Sequence, residues 1–348
     1  MASTPFIIPF FIAHQGCPHQ CVFCNQHVIT GSSRWLTAEL VKEEISRCLG
    51  WPRDARRQVQ VAFYGGSFTG LERGRQEELL GAVGPFLERG EVDLIRLSTR
   101  PDYIDLAKAR FLKERGVGLV ELGIQSFDAG VLAQCRRGHT AQQVSEAFAH
   151  LRQAKIGVGG QLMVGLPGET TAGVLAGARR LVALKPDLVR IYPTLVLKAS
   201  PLADLLAAGS YRPLSMNRAM ALCCRLKEIF AAAGIPVVRL GLQPSASLEH
   251  DLLAGPYHPA FGELVLSRLY FKRMRKRLAI LQKERGCAKI RLILSAADRS
   301  LFAGQKRCSA GRLTALGLLA GVEPVFLPGQ PRLTINHEII HVSPDPYC

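Results

Sequence analysis

At 348 residues, with 48% hydrophobic and 21% charged side chains, the chain has the composition of a globular protein with a sizeable core, not of a disordered or fibrous one. Its most apolar N-terminal run, 6–13, falls far short of the roughly 20 residues of a membrane span. It has neither a basic leader nor a cleavage site, so a cytoplasmic protein with no membrane partner is expected. The 44 basic against 28 acidic residues, net +16, favour a polyanionic partner such as RNA.

In chain order, short apolar runs alternate with amphipathic stretches. Strands are predicted at 6–13, 59–65, 93–99, 118–125, 157–166 and 187–194, with helices at 37–49, 73–88, 103–115, 141–154 and 171–184. A helix at 216–233 and a strand at 236–240 make a seventh pair. This alternation predicts an α/β fold, a partial TIM-like (β/α)6 barrel of parallel strands, with a doubly wound sheet as the competing architecture. After residue 245 a helical extension, 246–285, carries "KRMRKR" (272–277), and 286–348 reads as a small α+β unit with strands at 289–295, 322–327 and 332–342.

Of ten cysteines, three cluster in "HQGCPHQCVFCNQH" (14–27), and Cys48, Cys135, Cys223, Cys224, Cys287 and Cys308 are expected to be core thiols. Cys17, Cys21 and Cys24, spaced C-x3-C-x2-C, suit a loop wrapped around a metal group. Spacing alone leaves two readings open. One is structural zinc with a fourth ligand from His14, His19 or His27, and the other is an iron–sulfur cube with one iron free of protein ligands. The loop follows the first strand at its C-terminal end, where barrel active sites gather.

With Phe23 before the last Cys, the motif resembles the radical S-adenosylmethionine (SAM) superfamily. The resemblance implies a [4Fe-4S] cluster on Cys17, Cys21 and Cys24 whose open iron chelates SAM, and electron transfer that yields a 5′-deoxyadenosyl radical. It places Phe23 by the adenine. "FYGGSFTG" (63–70) resembles the glycine motif that binds the SAM amino group, through Gly66 and Ser67. "STRPDYI" (98–104) and "VELGIQSFDAGVLAQCRRGHT" (120–140) resemble the branch containing the catalytic subunit of the Elongator complex. That alignment implies SAM contacts at Gln125 and Arg137, and at Ser98 and Gln161, where relatives often carry Glu and Asp. "LMVGLPGET" (162–170) resembles the adenine-flanking segment, with Met163 and Gly165 as contacts. Strand alternation puts Glu121 on the face of Gln125, and Arg190 and Tyr192 together on another strand, making these three the candidates for work on the substrate.

The resemblance spans 5–245 and implies a radical enzyme modifying RNA, as the Elongator subunit modifies the tRNA wobble uridine, with a ferredoxin- or flavodoxin-type electron donor. That subunit carries an acetyltransferase-type domain for which 348 residues leave no room, so RNA modification is expected more than carboxymethylation. Lys272, Arg273, Arg275, Lys276 and Arg277, "RGHT" (137–140), and Lys306 and Arg307 in a KH-like turn "GQKR" (304–307) are the candidate phosphate contacts. A small-molecule radical enzyme resembling the coproporphyrinogen dehydrogenases is the alternative, although their further Cys is Gln26 here. A noncatalytic zinc- or cluster-stabilised RNA-binding protein is the third.

Overall fold

The structure is a computed structural model and describes residues 5–12, 16–17, 19–25, 35–55, 57–285, 290–330 and 341–344. His14, Gln26, His27, Cys287 and most of the 332–342 strand lie outside the described residues. The chain divides into two compact units, 1–215 with 235–257, and 216–234 with 258–348.

The first unit is built on seven parallel strands: β1 (Phe6–Phe11), β2 (Val59–Tyr64), β3 (Leu94–Thr99), β4 (Val117–Gln125), β5 (Gly157–Val164), β6 (Leu188–Pro193) and β8 (Val237–Leu240). Their spatial order is their chain order, with β1 and β8 at the two edges. A doubly wound sheet would reverse its order at a switch point. This sheet never does, and it curls into an open half-barrel. Between β6 and β8, a two-residue strand β7 (Val196–Leu197) pairs antiparallel with β9 (Leu252–Ala254).

The helices start where the sequence supplies a cap. Thr37, Asp105, Asp128, Thr140 and Thr170 each accept the backbone N–H three residues on. The helix expected at 103–115 therefore begins at Leu106, behind a 3-10 turn at Pro101–Tyr103. Three short helices, Ala129–Gln134, Pro201–Ala207 and Ala246–Asp251, escape periodicity because none exceeds two turns.

The second unit takes the helix Met216–Ala232, which the sequence pairs with β8, and packs it by the helix Phe261–Arg285, where Cys224 Sγ donates to Val265 O. Its sheet runs β11 (Val322–Leu327), β10 (Ile290–Ser295), β12 (His341–Pro344), parallel in the first pair and antiparallel in the second. Tyr270, Phe271, Met274, Leu278 and Leu281 of the long helix share one core with Leu292 and Leu294 of β10 and with Leu301, Phe302 and Leu313. The segments 246–285 and 286–348, read separately from the sequence, therefore do not part at residue 286. Of the expected core thiols, Cys48, Cys135, Cys223 and Cys224 are buried. Cys308 is not: it is exposed, directly after the exposed left-handed pair Lys306–Arg307. Among the described residues no helix is long and apolar enough to cross a membrane.

Candidate active site

The cysteine loop sits at the C-terminal end of β1 and is stitched down through its backbone. Val22 N donates to Cys135 O (3.2 Å), and Val22 O accepts from Leu202 N (2.8 Å). The Val22 side chain is buried with Val131, Cys135, Leu166, Leu202 and Tyr211, and Phe23 and Met163 pack on that same cluster. Two residues expected to flank adenine thus lie in one apolar wall. At the loop's other end, Gly16 has φ +68°, and a methyl group there would lie 2.7 Å from Leu71 N. A methyl on Gly70 would collide with the Gly16 carbonyl, so the cysteine loop and the glycine motif pack backbone against backbone.

Around the thiols the charges are positive. Arg137 is 7% exposed, donates from Nη1 to Cys21 Sγ (3.3 Å) and from Nη2 to Gly123 O (2.5 Å), and its Nε is buried without a partner among the described residues. Arg100 lies behind it, donating to Asp102 (2.8 Å) and to Arg137 O (2.5 Å). Burial works against the Arg100 charge, but Asp102, Cys21 and Cys17 hold its pKa above the ordinary value. Burial pushes the Cys135 thiol up to about 12, which keeps it protonated beside the loop. His139, pushed down to about 3 by burial and by Arg137, stays neutral. The His19 ring lies over Gly138, in the space a side chain there would fill. "RGHT" therefore braces the cysteine loop: Arg137 and His139 are buried, and Thr140 caps the helix Ala141–Gln153, so the expected phosphate contact is corrected.

Three thiols on one loop, faced by an arginine with a free buried N–H and a second guanidinium behind it, fit a cluster held by thiolates, whose negative charge needs such compensation. Among the described residues, no three His, Cys, Asp or Glu side chains gather around a single ion site.

The other candidate cofactor contacts line the strand ends. Gly65 and Gly66 have positive φ, and Ser67, wholly buried, shares a hydroxyl network with Thr99 (2.9 Å) that Thr69 joins (2.6 Å). A bulge in β4 and a φ of +67° at Gln125 turn its side chain over Gly123. There its Oε1 accepts from Gln161 Nε2 (3.4 Å), and a Cβ on Gly123 would meet both Gln125 and Arg137. Gly165 N donates to Glu169 (2.6 Å) and Gly165 O accepts from Tyr211 (2.6 Å), which sets the turn after β5. Ser98 stands level with Glu121 across the sheet, half-buried.

Glu121 is 2% exposed and lies between two arginines. Its Oε1 accepts from Arg96 Nε, and Arg190 Nε stands 2.5 Å from its Oε2. Arg190 also donates to Tyr64 (2.8 Å) and Tyr192 (3.2 Å), while one nitrogen of Arg96 is buried without a partner among the described residues. Arg190 and Tyr192 thus do meet, and Arg190 meets Glu121 as well. Arg96 and Tyr64 belong to this constellation, Arg100 stands behind Arg137 and Thr99 bonds Ser67, and all four were missed from the sequence. Arg96 carried a signal, a charged residue flanked by the apolar Leu94, Ile95 and Leu97 of a strand.

In the second unit the basic run does not act as one face. Lys272 pairs with Glu228 (3.2 Å), Arg273 and Arg277 are half-buried, and only Arg275 and Lys276 join Lys272 in exposure. Lys306 and Arg307, both exposed and left-handed, form the turn between two short helices that lead from β10 to β11.

Comparison with known proteins gives the same reading. The family models for the radical SAM superfamily and the Radical_SAM C-terminal domain match residues 11–178 and 186–270. These matches define the class as that of radical SAM enzymes, and the chain belongs to the radical SAM superfamily. Membership implies SAM and a [4Fe-4S] cluster. An uncharacterized protein of Methanocaldococcus jannaschii is 28% identical over 61% of this chain and 68% of its own length. The tRNA uridine(34) acetyltransferase of the same organism is 31% identical over 38% of this chain and 25% of its own, so only a quarter of that relative is spanned. The structure of archaeal Elp3 from Methanocaldococcus infernus superposes with a TM-score of 0.58 at 21% identity, over 80% of this chain and 64% of that one.

Proposed function

We propose that this radical SAM enzyme modifies RNA, with a tRNA uridine as the substrate by analogy with its Elp3-like relatives. Cys17, Cys21 and Cys24 would hold the cluster, and Phe23, Met163, Gly66, Ser67, Ser98, Gln125, Gln161 and Gly165 are the residues that would hold SAM. Cluster and SAM together supply reductive cleavage to a 5′-deoxyadenosyl radical, with the electron delivered by a ferredoxin- or flavodoxin-type protein.

The observation that carries the reading is Arg137, whose guanidinium spans Cys21 Sγ and Gly123 O with a buried N–H to spare. A single cation there orients a carboxylate and balances thiolate charge in one place. On β6, Arg190 holds Tyr64 and Tyr192 and is itself held by Glu121. Two phenols and a guanidinium on the concave face suit a planar, carbonyl-bearing substrate such as a uracil ring, and Glu121 fixes the arginine.

The test is anaerobic reconstitution with iron and sulfide, followed by dithionite and SAM. 5′-Deoxyadenosine is expected from the native chain and none from Cys21→Ala. Failure to bind iron, or full turnover by Cys21→Ala, defeats the reading.

A further inference from the structure

The long helix Phe261–Arg285 carries two sets of cations. Lys272 is spoken for by Glu228. Arg275, Lys276 and Lys283 are exposed and have no partner among the described residues. These three rim a groove of about 480 Å³, within the ~300–1,000 Å³ of small-ligand sites. Its apolar lining is Ala279 and Ile280 of the same helix, with Leu316 and Leu318 opposite, and among the described residues no acidic side chain lines it.

The far wall exists because of how the helix Cys308–Ala315 ends. Gly317 N donates to Thr314 O (2.8 Å) and Leu318 N to Leu313 O (3.0 Å), with Gly317 at φ +70°. This is the paired-bond helix stop that needs a left-handed residue, and it tucks Leu318 into the core. Leu316 is left 55% exposed at the groove's edge. Gln282 Nε2 donates to Gly317 O (2.9 Å) and ties the wall to the helix. The groove thus sets an apolar edge beside positive charge, a pairing that suits a ligand with both an apolar face and anionic groups.

We infer that this groove seats an unpaired nucleotide of an RNA strand, which rests on the reading that the substrate is RNA and adds where the strand is gripped. The base lies on the aliphatic floor with the Arg275 guanidinium plane against it, as unstacked bases do on apolar and arginine surfaces. Lys276 and Lys283, about 10 Å apart along the helix, take the flanking phosphates. Charge complementarity selects the occupant, since the groove is cationic and the whole chain carries +16. Duplex RNA offers no free base face and does not enter.

The experiment is fluorescence anisotropy with the full chain, a labelled single-stranded oligouridine and a duplex of equal length, over a series of salt concentrations. Single strand is expected to bind more tightly than duplex. Leu316→Ala, an exposed change that leaves SAM cleavage intact, should weaken the single strand about 5-fold with the salt slope unchanged. Lys276→Gln and Lys283→Gln should each lower the slope by about 0.7. The inference is overturned if Leu316→Ala and Arg275→Gln bind single strand as the native chain does, if the lysine variants weaken duplex and single strand alike, or if oligoaspartate competes as well as RNA. Groove variants that bind normally retire only the groove. A native chain that cleaves SAM but binds no RNA retires the RNA reading with it.

Discussion

Glu121 is the residue on which the inner face depends. One buried carboxylate serves two buried guanidinium groups, and removing it leaves both uncompensated in a low-dielectric setting. Glu121→Gln should cost about 3–5 kcal/mol in denaturant unfolding, and adding Arg96→Met should recover part of that loss. Equal stability of Glu121→Gln and the native chain would show the pair to be solvent-screened. Glu169 gives a pH dependence. Burial raises its pKa from 4.5 to about 7, with Asp128 adding to the rise and the backbone N–H groups of Gly165 and Leu166 opposing it. A carboxyl raised on folding contributes stability that is full below pH 4.5 and is lost as pH climbs through 7. The native chain should therefore lose on the order of 2–3 kcal/mol between pH 5 and 8, from about 1.4 kcal/mol per pKa unit. Glu169→Gln should flatten that part of the profile, and an unchanged slope would assign the loss elsewhere.

At the scale of elements, the cysteine loop and the glycine motif are one packed pair. Gly70→Ala drives a methyl into the Gly16 carbonyl. It should destabilise the fold by about 1–3 kcal/mol and lower the iron bound per chain on reconstitution. Gly81→Ala, in the helix Arg73–Glu88 with open space around it, is the control and should stabilise by about 0.5–1 kcal/mol. Normal iron content in Gly70→Ala would show that the two loops move independently. Much of this level was legible in the sequence. Largely apolar runs such as "VQVAFY" announce strands buried on both faces, and the caps follow from Thr and Asp before amphipathic helices. Gln125 takes its place over Gly123 through a bulge and a left-handed backbone that no alternation rule contains. The Arg96–Glu121–Arg190 network was not legible, because its members come from three strands, 25 and 69 residues apart in sequence, and the two arginines reach Glu121 along the sheet from register positions level with Leu119 and Gly123.

For the whole molecule, net charge predicted a polyanionic partner but not where it binds. The basic run 272–277 reads as one patch in sequence, yet helical geometry sends Lys272 to Glu228 and leaves Arg275 and Lys276 on the groove. Lys283 and Leu316 complete that groove from positions with no sequence motif. The central claim joins the two halves of the reading, radical chemistry in the half-barrel and RNA as its target. It is tested most directly by measuring 5′-deoxyadenosine from the reconstituted, reduced chain with SAM, with and without tRNA, and by mass spectrometry of the nucleosides from that tRNA. The account predicts 5′-deoxyadenosine that rises when tRNA is added and a mass change confined to a uridine. Iron-loaded protein that forms no 5′-deoxyadenosine, or forms it at the same rate without any change in tRNA, would contradict it.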